Sequence, residues 1–286
     1  MGLLFSVLTF TSITIIGVIS IFIITGLTGL FSLGQASFMA IGAYTSGLLV
    51  TKLGMPFPLA IIISVAMGVL FGLIVGLPTI RLRRDYIALV TFGFGEAIIA
   101  VLNNMTSVTG GATGMAGLPQ YTNLALAGGS AVVCIFMARN FKYSRFGRQC
   151  LALKTDELAA KSIGINVTRL KLTAFLVSAG MTAYAGVLFG FYTTYVDPGI
   201  FNWTKSAEWI IMVFFGGIGS LTGAIVSALI LGTLPEILRF ASEWRIVIYS
   251  VTVLIIINYR PKGLLGEREL KLADIKKLFS SWRKAL

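Results

Sequence analysis

The sequence predicts an all-α polytopic membrane protein of about eight hydrophobic segments, forming a single transmembrane domain over residues 1–286. Three observations lead there. The chain is 56% hydrophobic and only 12% charged, with a mean hydropathy of +0.90, which leaves too little charge to cover a soluble surface. Its apolar runs approach the roughly 20 residues that a helix needs to cross the hydrocarbon. Its Lys and Arg residues fall between those runs rather than within them.

The first run, residues 3–30, carries no charge. It lacks the basic start and small-residue cleavage site of a secretory signal, since no Lys or Arg precedes Lys52. Met1-Gly2 followed by Ser6 fits a lipidation pattern, but an acyl anchor adds little to a chain that already spans the membrane. Further runs cover residues 36–51, 57–80, 86–102, 122–138, 172–196, 207–235 and 246–258. Of 23 Lys and Arg, three stand at Arg81, Arg83 and Arg84, eight between Arg139 and Lys171, and eight from Arg260 onward. These three segments are expected on the cytoplasmic side.

Cytoplasmic segments must be separated by an even number of crossings. The two runs between Asp85 and Arg139, joined by the uncharged stretch 107–120, satisfy this; the three between Lys171 and Arg260 do not. A break at Gly216-Gly217-Ile218-Gly219-Ser220 restores parity, through either two crossings or a re-entrant hairpin. Irregular backbone at membrane depth is tolerated where it is buried in protein or lines a wet cavity, so Gly216, Gly217 and Gly219 are pathway candidates. Residues 29–36 loosely echo residues 217–224, which makes Gln35 a further candidate. Such an echo is the trace of an internal repeat, inverted in orientation in many transporters. Small residues at helix contacts produce the same pattern.

Glu96 is the acidic residue well inside a hydrophobic run, where an unpaired charge is costly. It either faces the pathway or a partner subunit, or holds helices together by hydrogen bonding. Asn103 and Asn104 lie nearer the outer mouth and are placed to end the same helix. The loop 143–171 is long and basic and contains a helical stretch over 155–165, with Thr155 or Asp156 as its cap and Gly164 as its end. Glu157, Ala159 and Ala160 make that helix thin enough to lie in a groove on another protein, although basic loops are also what positive-inside sorting produces. The tail 267–286 sets Leu272, Ile275, Phe279, Trp282 and Leu286 at helical spacing among Lys and Arg, the pattern of an amphipathic helix on the inner leaflet. With no His, no phosphate-binding Gly-Lys loop and no paired cysteines, the chain shows no equipment for catalysis, ATP hydrolysis or metal binding.

The residues also resemble a known family. Glu157-Leu-Ala-Ala with Gly164 downstream resembles the loop by which ABC-importer permeases engage their ATPases, with Leu158 interrupting the usual motif. Ser32-Leu-Gly-Gln-Ala-Ser-Phe-Met-Ala-Ile-Gly-Ala-Tyr44, Arg81-Leu-Arg-Arg-Asp-Tyr-Ile-Ala-Leu-Val-Thr-Phe-Gly-Phe-Gly-Glu96, Thr109-Gly-Gly-Ala-Thr-Gly-Met-Ala-Gly-Leu-Pro119 and Tyr259-Arg-Pro-Lys-Gly-Leu-Leu-Gly266 together look like the LivM-type permease of branched-chain amino-acid ABC importers. The resemblance implies a bacterial plasma (inner) membrane location and an ABC importer transmembrane architecture. It also implies a second related permease, two cytoplasmic ATPase subunits carrying ATP and Mg, and an external solute-binding protein that delivers leucine, isoleucine or valine. This chain would bind no cofactor itself. Asp156, Glu157, Ala159, Ala160 and Gly164 would form its ATPase-coupling helix. Urea and short-chain amide importers have similar permeases. A self-contained ion-coupled carrier would call for more intramembrane acids than Glu96 supplies, and a membrane-embedded enzyme would need a set of reactive residues that the chain lacks.

Overall fold

The structure, a computed structural model of the chain, describes residues 2–82, 84–237, 250, 251, 254, 258, 259, 263–266 and 269. The hydrophobic run 246–258 and the amphipathic tail 267–286 therefore lie outside the described residues, apart from the few positions just given.

Helix α1 (Gly2–Ile21) continues as a π-helical stretch, Phe22–Leu27, and then breaks. Helices α2 (Gln35–Thr51), α3 (Phe57–Thr79) and α4 (Arg84–Asn104) follow. A connecting loop holds the single-turn α5 (Thr106–Thr109) and the short strand β1 (Met115–Ala116). Helix α6 (Leu124–Tyr143) leads into α7 (Arg145–Thr155) and α8 (Glu157–Ser162). The long α9 (Val167–Thr193) is followed by β2 (Tyr195–Val196), a 3-10 turn over Pro198–Phe201, α10 (Trp203–Gly216) and α11 (Leu221–Ile237). β1 and β2 pair antiparallel, with Met115 opposite Val196.

Among the described residues, five helical stretches are long and apolar enough to cross a membrane: Leu4–Leu27, Phe57–Thr79, Tyr86–Asn104, Leu124–Tyr143 and Val167–Thr193. α2, α10 and α11 have 17, 14 and 17 residues. At 1.5 Å per residue they run only about 26, 21 and 26 Å. The expected break falls where the glycines put it, since α10 stops at Gly216 and α11 starts at Leu221.

α1, α2 and α9 form the centre. The apolar windows of α1 and α9 are 72% and 67% buried, against 33%, 22% and 22% for α3, α4 and α6 on the outside. The centre closes through glycine: a Cβ on Gly42 would lie 2.0 Å from the Ala183 carbonyl, and one on Gly186 would lie 1.9 Å from that of Met39. Only backbones without side chains reach this separation, which maximises dispersion contacts where no hydrophobic drive exists between apolar helices and lipid.

The bundle has two ends. At one, Lys52 donates to the Ser107 and Val108 carbonyls (3.0 and 2.9 Å), and β1 pairs with β2. At the other lie the α6–α9 connection, the α1 break and the α10–α11 turn, since Lys154 donates to the Gly26 carbonyl (2.9 Å) and Lys142 to that of Gly219 (2.6 Å). Both glycine-bearing breaks thus sit at the same end, each joining a helix that arrives there to one that leaves, with positive φ at Gly29 (72°) and Gly217 (112°). This echo consequently does not relate two oppositely oriented halves.

Candidate functional site

The basic end gathers the features singled out by sequence. Asp156 caps α8, its carboxylate accepting from the Leu158 and Ala159 amides (2.8 and 3.1 Å), so the cap is Asp156 rather than Thr155. Gly164, with φ of 80°, turns the chain away after the helix. Glu157 bridges Lys161 (3.1 Å) and the nearly buried Lys171 of α9 (2.9 Å). Burial pushes the Glu157 carboxyl up, but the hydrogen bonds from Lys171 and Lys161 outweigh it and hold the group below the ordinary carboxylate value. Ala160 is buried against the chain, whereas Ala159 and Gly164 face outward. Leu158 and Ile163 are each 74% exposed. Two large apolar side chains thus stand exposed among the charges of this loop.

α7 was not separated from the loop by sequence. It buries Gly147, Cys150 and Leu153, and burial pushes the Cys150 thiol up to about 12, which leaves it unreactive. Lys154, near its end, ties α7 to the α1 break through Gly26.

The α1 break satisfies its backbone with borrowed side chains. Thr91 of α4 accepts from the Leu33 amide (3.2 Å), and Ser206 of α10 accepts from the Ala36 amide (2.8 Å). Gln35 is fully buried; its Oε1 accepts from Thr182 (3.2 Å), which also donates toward Ser20 (2.7 Å). The Gln35 Nε2 and Trp209 Nε1 atoms are buried and find no hydrogen-bond partner among the described residues.

The second break is clasped by charge. Lys142, at the end of α6, donates to Gly219 and to Glu269, and its ammonium lies 5.4 Å from the centre of the Phe22 ring. Glu269 accepts from the Leu221 and Thr222 amides (2.8 and 3.0 Å), covering donors that a helix start leaves unpaired. Leu264 and Leu265 donate to the Phe215 and Gly216 carbonyls (2.8 and 3.1 Å) at the end of α10. Burial pushes the Glu269 carboxyl up, and the Lys142 and α11 hydrogen bonds more than offset it. Where α10 meets α11, a Cβ on Gly216 would lie 2.2 Å from the Gly223 carbonyl.

The structure divides the pathway candidates. Gly216, Gly217 and Gly219 form the hairpin tip at the basic end, not at mid-depth; Asn103 and Asn104 terminate α4 at the opposite end, with Asn104 donating to the Ala100 carbonyl (2.7 Å). Gln35 and Glu96 lie between. The Glu96 Oε1 atom is shielded from solvent and has no hydrogen-bond partner among the described residues. A groove of about 580 Å³ between α3, α6 and α9 is lined by Val65, Val69, Val133, Met137 and Met181. Its polar groups, Ser130 and Tyr184, bond to each other (2.6 Å), so it offers nothing to a charged solute. Sequence reading missed Lys142, Lys154 and Lys171, which it counted only as topogenic charge, and Glu269, to which it gave no role; the signal available was their place within or beside helix ends.

Apolar helices broken twice at one basic end, with a capped helix projecting there, define a multi-pass membrane protein of transporter type. The family described as "Branched-chain amino acid transport system / permease component" matches residues 3–257, and the chain belongs to it. It is 34% identical to the high-affinity branched-chain amino acid transport system permease protein LivM of Salmonella typhimurium, over 90% of this chain and 68% of the relative. Against LivM of Escherichia coli the identity is 32% over the same shares. Against LivH of Salmonella typhimurium, a permease protein of the same named system, it is 29% over 86% of this chain and 89% of that one. No solved structure matches the chain.

Proposed function

We propose that this chain is one permease subunit of an ATP-driven importer of branched-chain or closely related amino acids, folded as a single transmembrane domain in a bacterial plasma membrane. Two LivM relatives and a LivH relative, all named as permease proteins of branched-chain amino acid transport, support the substrate class and a second, related permease as partner. Positive-inside sorting puts the basic end in the cytoplasm. α10 and α11 then make two of the crossings, with the first helix starting outside.

The observation that carries the reading is α8: a capped helix presenting Leu158 and Ile163 to the cytoplasm while Glu157 ties it to Lys171 of α9. A partner ATPase that grips this face moves α8. The Glu157–Lys171 pair passes the movement to the central α9, and the Lys154–Gly26 contact passes it to the break before α2. Because α2 and α9 touch backbone to backbone at Gly42 and Gly186, they respond as one body. ATP and Mg belong to the ATPase partners, and an external binding protein hands over the solute.

The test is co-purification from native membrane followed by ATPase assays with leucine-loaded binding protein. Recovery of a second permease and an ATPase stimulated by the loaded protein supports the reading. A chain that purifies alone and moves amino acid in liposomes without ATP overturns it in favour of a carrier.

A further inference from the structure

α10 carries a further ion pair, Lys205 and Glu208, 3.0 Å apart on its first turns. Three contacts fix their depth. Ser206, between them, accepts from the amide of Ala36 at the start of α2. Trp203 packs on Phe92, with ring centres 6.1 Å apart. A Cβ on Gly17, well inside α1, would strike the Trp209 ring at 2.5 Å. Phe92 stands eight residues into the 21-residue α4. At 1.5 Å per residue Trp203 therefore meets α4 about 12 Å from one end and about 18 Å from the other, and Gly17, which meets Trp209 beside Glu208, lies about 15 Å from the end of the Leu4–Leu27 stretch.

At this depth the pair is not enclosed, for the Lys205 and Glu208 side chains are 31% and 47% exposed. An exposed ion pair in hydrocarbon is untenable; intramembrane charges face a bundle interior or a wet cavity. On the same side of α10, Ile211 and Phe214 follow Glu208 at helical spacing and are partly exposed, and Phe31 stacks on Phe214 (5.7 Å). The surface thus presents one positive charge, one negative charge and an apolar strip, which matches a zwitterion with an aliphatic side chain.

We propose that Lys205 and Glu208 line the translocation pathway and receive the carboxylate and ammonium groups, respectively, of the passing amino acid, while Ile211, Phe214 and Phe31 meet its side chain. Because the two residues already pair with each other, the solute exchanges one set of ion pairs for another, and the hold is weak enough for release. This rests on the importer reading above.

The deciding variant is the apolar double substitution Lys205→Met with Glu208→Leu in the assembled complex, because an ion pair kept only for packing is replaceable by apolar residues. The expected result is leucine uptake reduced at least about tenfold while the complex still assembles and hydrolyses ATP. Uptake within about twofold of the parent overturns the proposal. Should the double variant fail to assemble, Ala207→Cys, in a chain with Cys134→Ala and Cys150→Ala, decides instead. Labelling by a charged thiol reagent, slowed by leucine transport conditions, supports a wet pathway; absence of labelling overturns it. A parent complex whose uptake ignores ATP refutes the importer reading, while labelling at position 207 still reports on the pathway face.

Discussion

The two helix breaks lie at the same end of the bundle and approach each other, since a Cβ on Gly26 would sit 2.9 Å from the Ile218 carbonyl, yet they are held by different chemistry. The break before α2 uses hydroxyls, Thr91 for the Leu33 amide and Ser206 for the Ala36 amide, with Lys154 reaching in only at its outer edge. The α10–α11 turn uses a lysine and a carboxylate, with Glu269 and Lys142 closing around Gly219, Leu221 and Thr222. Deep in the bundle a neutral hydroxyl pairs an amide without bringing a charge out of water, whereas at the rim an ion pair is tolerated and binds more strongly. The depth of each amide therefore decides which residue pairs it.

The largest expected effect comes from removing the room that the first break needs. Gly34→Val would drive a side chain into the Thr91 carbonyl, 2.1 Å from its Cβ position, and is expected to destabilise the chain by about 3 kcal/mol or more, seen as loss of assembled protein in detergent. At the second break, Lys142→Met leaves Glu269 part-buried without its cation and is expected to cost about 3 kcal/mol in thermal unfolding of the solubilised chain. The double variant Lys142→Met with Glu269→Gln recovers much of that loss if the two act as a pair. Thr91→Val removes a neutral acceptor from one amide, and the expected loss is only about 1 kcal/mol. A hydroxyl deletion more damaging than Lys142→Met would reverse the comparison.

The smallest effect is that of pH. Glu157 and Glu269 both titrate below the ordinary carboxylate value of 4.5. Each thus contributes stability that is fully present above that value and is lost as the pH falls through the lowered one. Unfolding temperatures are expected to be flat around neutrality and to drop only in acid, with the drop from Glu269 absent in Glu269→Gln. A midpoint that moved near neutral pH would contradict both assignments.

Much of this fold is legible in the sequence because a bilayer enforces it. Charge-free runs become helices, Asn104 and Gly216 end them where expected, and Asp156 and Gly164 delimit α8. The parity of the basic segments locates the break at residues 216–220 before any contact is known. Depth is what the pattern does not carry. The glycines of that break read as a mid-membrane discontinuity and instead form a tip at the basic end, because α10 starts deep, beside Ala36 and Phe92. Leu158, which reads as an interruption of a motif, faces outward. Long-range pairs such as Lys142 with Glu269 leave no periodic trace.

The central claim is that α8 transmits ATPase movement to the bundle, and Leu158→Glu tests it most directly in proteoliposomes where uptake and ATP hydrolysis are followed together. The account predicts a chain that inserts normally but loses uptake by about tenfold or more, with stimulation of hydrolysis by the loaded binding protein lost alongside it. Uptake and stimulated hydrolysis equal to the parent's would contradict it and remove α8 from the coupling path.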